Sequence, residues 1–325
     1  MVSNVTKNTF FYKFFKLNLS GENLSLKQLL QKEILKAIAI YQKQYSDFNN
    51  WQQITVSLPQ KIVLLPLQKS SQIAIYRCAI AYSLANLART SPFLVASELV
   101  LLLSFLTAKY SAKESLEIAV TVVDSGLIDF YIWKTEISTV VENHNIVMWL
   151  NGLVKNFSAK TPIDNSYLFI EKRQIPSSLF SLQYIYGRCN SLLNLGAREQ
   201  LISLVTDSEQ YLRWQIVRPS FIEWSDCQNR LFFACHSEYH LIWQICWIVD
   251  CLLDNTPYST KHWSKFISRI SEVWLNFSAE CNFCGAIRQD NFDLAIARLG
   301  LIALLHWCLE AILILQLRII PQKEV

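Results

Sequence analysis

Glycine and proline are scarce, with 7 and 8 in a chain of 325 residues. An all-β protein needs both at its turns, so their scarcity weighs against that class and in favour of helices. It also leaves no glycine-rich loop where a backbone could close on a triphosphate. Charge is sparse as well: 17% of residues are charged and 52% are apolar. That composition excludes a disordered chain and supplies ample material for a core. A strong basic excess is missing. Residues 1–165 carry 16 Lys+Arg against 11 Asp+Glu, whereas 166–325 carry 14 against 15. A nucleic-acid binder usually shows a basic surface, so charge alone points only weakly that way. The nine cysteines follow no regular spacing. An odd count with no secretory signal implies free thiols in a reducing cytoplasm.

The first 20 residues are basic and aromatic and hold no continuous apolar run with a small-residue cleavage site. They read as an amphipathic arm or a strand. The stretch from Gly300 to Ile320 is long and apolar, but His306, Glu310, Gln316 and Arg318 interrupt it. Such groups are costly in lipid. The expectation is a buried bundle helix and no membrane insertion.

Hydrophobic period organises the rest. Leu26, Leu29, Leu30, Ile34 and Ala37 predict a helix over 24–45. Two strand-like runs follow, at 51–58 and 61–68, the second marked by Pro66 as an edge strand or strand end. Ile73, Tyr76, Ile80, Leu84 and Leu87 predict a helix over 72–89, and Ser91-Pro92 opens another that runs to about Ala108. Runs at 116–123 and 127–133 flank Asp124-Ser125-Gly126, a tight hairpin signal. From Pro176 onward the pattern is helical: 177–195, 198–213, 236–254, 261–281 and 291–318. The expected fold is mainly α. An α+β N-terminal domain, with helices on a small and mostly antiparallel sheet, precedes an all-α helical bundle. The boundaries are an N-terminal arm at 1–21, the α+β domain at 22–135, a linker at 136–165 with its break near 156–162, and the bundle at 166–325.

Three ordered motifs carry a resemblance. Gln183-Tyr184-Ile185-Tyr186-Gly187-Arg188-Cys189 is similar to the Gln-Tyr-Ala-x-Ala-Arg helix of the DALR anticodon-binding domain of arginyl-tRNA synthetases. The helix ending at Phe277 and Cys281 resembles that domain's aromatic helix, with Ser278 where the family has Tyr. Ala297-Arg298-Leu299-Gly300-Leu301-Ile302 resembles its Ala-Arg-Leu-x-Leu-Val signature, and Leu317–Pro321 its short tail. In the first half, Ala81, Leu84, Ala85, Pro92 and Ala96 fit the same enzyme's N-terminal domain. Gly126-Leu127-Ile128-Asp129-Phe130 resembles its Gly-Phe-Ile-Asn-Phe strand, with Asp129 in place of Asn.

In that family the two domains flank a nucleotide-binding core. Here only about 45 residues separate Phe130 from the bundle, whereas a parallel α/β domain needs roughly 100 or more. Motifs of the His-x-Gly-His or Lys-Met-Ser-Lys-Ser type are absent. The resemblance implies a non-catalytic protein with no cofactor. Its partner would be tRNA (tRNA-Arg by family) or a separate aminoacyl-tRNA synthetase, and its place the cytoplasm.

Four residues are the nucleic-acid-binding candidates. Tyr184 and Arg188, at i,i+4 on the polar side of one helix, suit an unstacked base: the ring stacks and the guanidinium takes a base edge or phosphate. Gln183 offers an amide for a base edge. Arg298, on a very apolar helix, is read either as an RNA contact at the bundle surface or as half of an ion pair with Asp290 or Asp293. His236 with His240 and Cys281 with Cys284 have zinc-ligand spacing, but the resemblance includes no metal and none is expected. His306 and Glu310 read as a satisfied buried pair rather than an acid–base dyad. The competing reading for the whole chain is a protein–protein interaction module that has lost RNA binding.

Overall fold

The computed structural model describes residues 13–18, 25–44, 62, 64–67, 73–108, 115–123, 125–134, 149–153, 178–206, 214–228, 230–253, 260–317, 319 and 321. The chain divides into two compact units, Met1–Asn145 and Ile146–Val325. The helix-rich, α+β character expected from composition is what the structure shows. The strand-like run at 51–58 and the break near 156–162 lie outside the described residues.

In the N-terminal unit, β1 (Lys13–Asn18) is a strand of the sheet, which agrees with the strand reading for those six residues. Ser25 caps α1 (Leu26–Gln44): its Oγ accepts from the Gln28 amide at 3.2 Å. Strands β2 (Leu64–Leu67) and β3 (Ile73–Cys78) are followed by α2 (Ile80–Ala88) and α3 (Pro92–Thr107). Strands β4 (Ser115–Val122) and β5 (Ile128–Lys134) complete a five-stranded sheet of order β1-β4-β5-β3-β2. All its pairings are antiparallel. β2 is an edge, where Pro66 is tolerated. The helix expected over 72–89 is corrected: residues 73–78 are β3. Ile73 and Ile75 are β-branched, and β3 pairs with both β2 and β5, so long-range pairing overrides a helical spacing that a strand also satisfies.

The β4–β5 hairpin turns at Gly126, whose φ is +89°. A Cβ there would lie 2.7 Å from the Pro92 backbone, so only glycine lets the turn sit against the start of α3. The core joins Leu30, Ile34 and Ile38 of α1 to Val95, Leu99 and Leu103 of α3 and to Ile118, Val120 and Phe130 of the sheet. One cross-strand row is polar. Arg77 on β3 faces Asp129 on β5, and Asp129 faces Thr121 on β4. The Arg77 guanidinium grips the Asp129 carboxylate with two bonds of 2.6 Å. These bonds hold the Arg77 pKa above its ordinary value. An aspartate at this strand position is thus explained by the arginine opposite it.

In the C-terminal unit a short helical segment at 149–153 buries Trp149, Leu150 and Leu153. It stands inside the stretch expected to be linker. Its Asn151 accepts from the Trp224 indole at 2.9 Å. Four long helices follow: α4 (Ser178–Arg198), α5 (His236–Leu253), α6 (Thr260–Glu280) and α8 (Phe292–Ala311), with the one-turn α7 (Ala286–Asp290) before the last. α8 packs on α4 and α5, and α6 packs on the same two, so the four close a ring. The unit is not all-α. Where a helix over 198–213 was expected, α4 ends at Arg198 and the chain turns away at Gln200, whose φ is +59°. β6 (Ser203–Thr206) then pairs antiparallel with β7 (Trp214–Arg218). Val205 and Thr206, both β-branched, suit that strand better than a helix.

The helical run Phe292–Ile314, which begins with α8, is long and apolar enough to cross a membrane, yet 94% of its apolar stretch is buried within the protein. Gly196 and Gly300 admit that burial. A Cβ on Gly196 would meet the Leu299 side chain at 2.8 Å, and one on Gly300 would meet Trp224 at 2.7 Å. The expected helix end at 318 is corrected as well, because the last turn widens to a π-helix over Ile312–Gln316.

Candidate nucleic-acid interface

α4 is amphipathic in a way that separates the candidate residues. Leu179, Leu182, Ile185, Tyr186, Cys189 and Leu193 are buried, and they recur every three or four positions along one face. On the other side Phe180, Tyr184 and Arg188 follow one another at i, i+4 and i+8, all exposed. Phe180 is 65% and Tyr184 43% exposed. Residues four apart lie above one another on a helix surface, so two aromatic rings and a guanidinium form one outward column. Ser191 continues the exposed side, its hydroxyl donating to the Gly187 carbonyl at 3.0 Å.

Gln183 does not belong to that column. It is buried and engaged within the fold, so its amide is withheld from a base edge in solution. It lies four residues after Leu179 and three before Tyr186, both buried, near the border of the two faces. Phe180 is the residue the sequence reading missed. The signal was present, since stepping back one turn from Tyr184 along the polar face reaches it.

Arg298 is likewise placed inside. It is 7% exposed, and its Nε donates to Glu238 Oε1 at 2.7 Å while Nη1 donates to the Asn282 carbonyl. The surface RNA contact is therefore corrected to a buried ion pair. The anion is Glu238, 60 residues away, rather than the exposed Asp290 or Asp293. A buried guanidinium demands a partner at its own depth, and Glu238 is fully buried. The other Glu238 oxygen accepts from the Ala234 and Cys235 amides at 2.9 and 2.8 Å, at the start of α5. This is the returning half of a capping box. One glutamate thus caps α5 and anchors α8.

Next to it, Glu280 at the end of α6 accepts from the Ser237 hydroxyl, and from the Cys235 thiol at 3.2 Å. Those two bonds hold its carboxyl below the usual range. Burial, with His236 and Arg269 nearby, pushes the His240 imidazole down. Burial and the neighbouring Glu238 push the Cys281 thiol up. Among the described residues no three His, Cys, Asp or Glu side chains converge as a metal-ion set. His306 and Glu310 are both buried on α8, and Tyr186 stacks on the His306 ring with centroids 4.3 Å apart.

The chain has no significant match among protein-family models, curated proteins or solved structures. The resemblance to the synthetase domains therefore rests on the residues quoted for it.

Proposed function

We propose that this chain is a non-catalytic, arginyl-tRNA synthetase-like protein that binds tRNA through the outward column of α4. The observation that carries the reading is Phe180–Tyr184–Arg188, two exposed rings and one exposed cation in a single helical row. Bases splayed out of an RNA loop stack on such rings, each worth about 1–3 kcal/mol. A guanidinium one turn further on takes a phosphate or a base edge. The same helix bears the Gln-Tyr-x-x-x-Arg resemblance to the anticodon-binding domain, so an anticodon loop is the proposed ligand and tRNA-Arg the first species to try. By the same resemblance the N-terminal unit is a second tRNA-contacting domain. The chain has no segment of the size and motif content of an ATP-binding core, and activation of an amino acid is not proposed for it. The cytoplasm is the proposed location, in keeping with nine cysteines that are all free thiols.

Retention of total tRNA on a filter at roughly 50 and 200 mM salt tests the reading. Binding that falls steeply with salt and is weakened by Arg188→Ala and Tyr184→Ala is the expected result. No retention at the lower salt overturns it.

One observation favours the second reading, a protein-interaction module. Leu94, Leu101 and Phe105 of α3 are 54%, 51% and 79% exposed and lie on one side of the helix at spacings of seven and four. An outward apolar stripe of this kind marks contact with another protein, of which a separate aminoacyl-tRNA synthetase is the candidate. Phe105→Ser that abolishes a co-purifying complex while tRNA retention is unchanged would favour it.

A further inference from the structure

The junction that holds α5, α6 and α8 together also assembles thiols. Cys235 is the residue before α5, and Cys281 is the residue after α6. The Cys235 thiol donates to Glu280, the chain neighbour of Cys281, and the Cys281 thiol shares a hydrogen bond with Cys235. Cys235 is half-buried and Cys281 buried, both free in this state. Cys284, half-buried, completes a C-x-x-C with Cys281.

We infer that Cys235 and Cys281 form a reversible disulfide, making the α5–α6 junction a thiol–disulfide switch. The co-reactant is a small disulfide such as glutathione disulfide. The Cys235 thiolate, the accessible one, attacks one sulfur of the oxidant. The oxidant's S–S bond breaks, a thiol leaves, and a mixed disulfide remains on Cys235. The Cys281 thiolate then attacks Cys235 Sγ and expels the second small thiol. Two protein thiols are oxidised, one small disulfide is reduced to two thiols, and the two protein protons leave with them. Cys281 is the slower participant, because burial and Glu238 disfavour its thiolate. Oxidation also removes one of the donors that Glu280 holds in the reduced form. The bond would close a loop containing all of α5 and α6, which constrains the unfolded chain and stabilises the ring.

The full-length protein incubated with glutathione disulfide, then mapped by non-reducing peptide mass spectrometry, tests this. The expected product is a peptide pair linked through Cys235 and Cys281, with two hydrogens lost. It should bring a rise in Tm of roughly 5 °C, reversed by dithiothreitol. Cys235→Ser should abolish both the link and the rise, and Cys284→Ser should leave both intact. A Cys281–Cys284 link, a stable glutathione adduct on Cys235, or a full thiol count after oxidation would each overturn the assignment. The wild-type peptide map decides among these even if Cys281→Ser fails to fold.

Discussion

Arg188 and Arg298 stand on helices that pack against each other, yet the regions around them are built on opposite terms. Around Arg188 on the outer face of α4, two aromatic rings are left open to solvent. That arrangement adds little to the fold and leaves a surface ready to be covered. Around Arg298 at the α5–α6–α8 junction, a buried guanidinium is matched by a buried carboxylate that itself caps a helix. There the charge is committed to holding the ring together. The same residue type thus stands on an open face, the proposed binding surface, in one place and in an internal brace in the other. Depth and partner decide which.

The largest expected effect breaks the brace. Glu238→Ala leaves Arg298 buried without its anion and α5 without its returning cap. It should destabilise the protein by about 3–5 kcal/mol, read from the urea midpoint. Arg298→Ala should cost a similar amount, because the orphaned group is then Glu238. Replacing the pair together, as Glu238→Ala with Arg298→Ala, should cost clearly less than the two single changes summed. A simple sum would show that the two groups do not act as a unit.

The N-terminal unit offers an independent copy of the brace. Asp129→Ala strands Arg77, whose side chain is 24% exposed and thus partly rescued by water. A loss of about 2 kcal/mol is expected, less than at Glu238. A loss equal to that at Glu238 would mean that burial does not set the scale. On the open face the sign of the experiment reverses. Tyr184→Ala and Arg188→Ala should each leave the urea midpoint within about 0.5 kcal/mol and weaken tRNA retention by about 1–2 kcal/mol, some 5- to 30-fold. A stability loss with no change in retention would turn the α4 column into a second structural device.

Much of this contrast is visible in the sequence, and the reasons for the gaps are physical. The apolar stripes of α1, α4, α5 and α6 have the helical period, and Asp124-Ser125-Gly126 announces the β4–β5 hairpin, so local pattern suffices there. It does not suffice at Ile73–Cys78, where six residues fit either period until β2 and β5 supply partners. Residues 198–213 fail for a related reason, since β6 is stabilised by pairing with β7, which begins just beyond that window. The outward column was readable from Tyr184 and Arg188, and Phe180 follows by one more turn. The partner of Arg298 was not readable, because Asp290 and Asp293 are near in sequence whereas Glu238 is near only in the folded ring. The burial of Gln183 lies at the edge of what periodicity resolves, one position from a solvent-facing tyrosine.

The smallest effect tests how far the brace reaches toward solvent. His240, half-buried on α5, has its imidazole pKa pushed below the ordinary value, first by burial and then by His236 and Arg269. A group whose folded pKa is depressed binds its proton more readily in the unfolded chain. Its contribution is therefore complete above the unfolded value of about 6.5 and is lost as pH falls through the lower folded value. Tm should stay level from about pH 8 down to about pH 6.5 and then decline. Replacing the imidazole with an amide, His240→Asn, should flatten that first decline. Glu280 works in the same direction at lower pH: its carboxyl is depressed by the Ser237 and Cys235 bonds, and the stability it confers disappears as pH falls below about 4.5. If His240→Asn leaves the profile between about pH 6.5 and 5.5 unchanged, the titration belongs to another group.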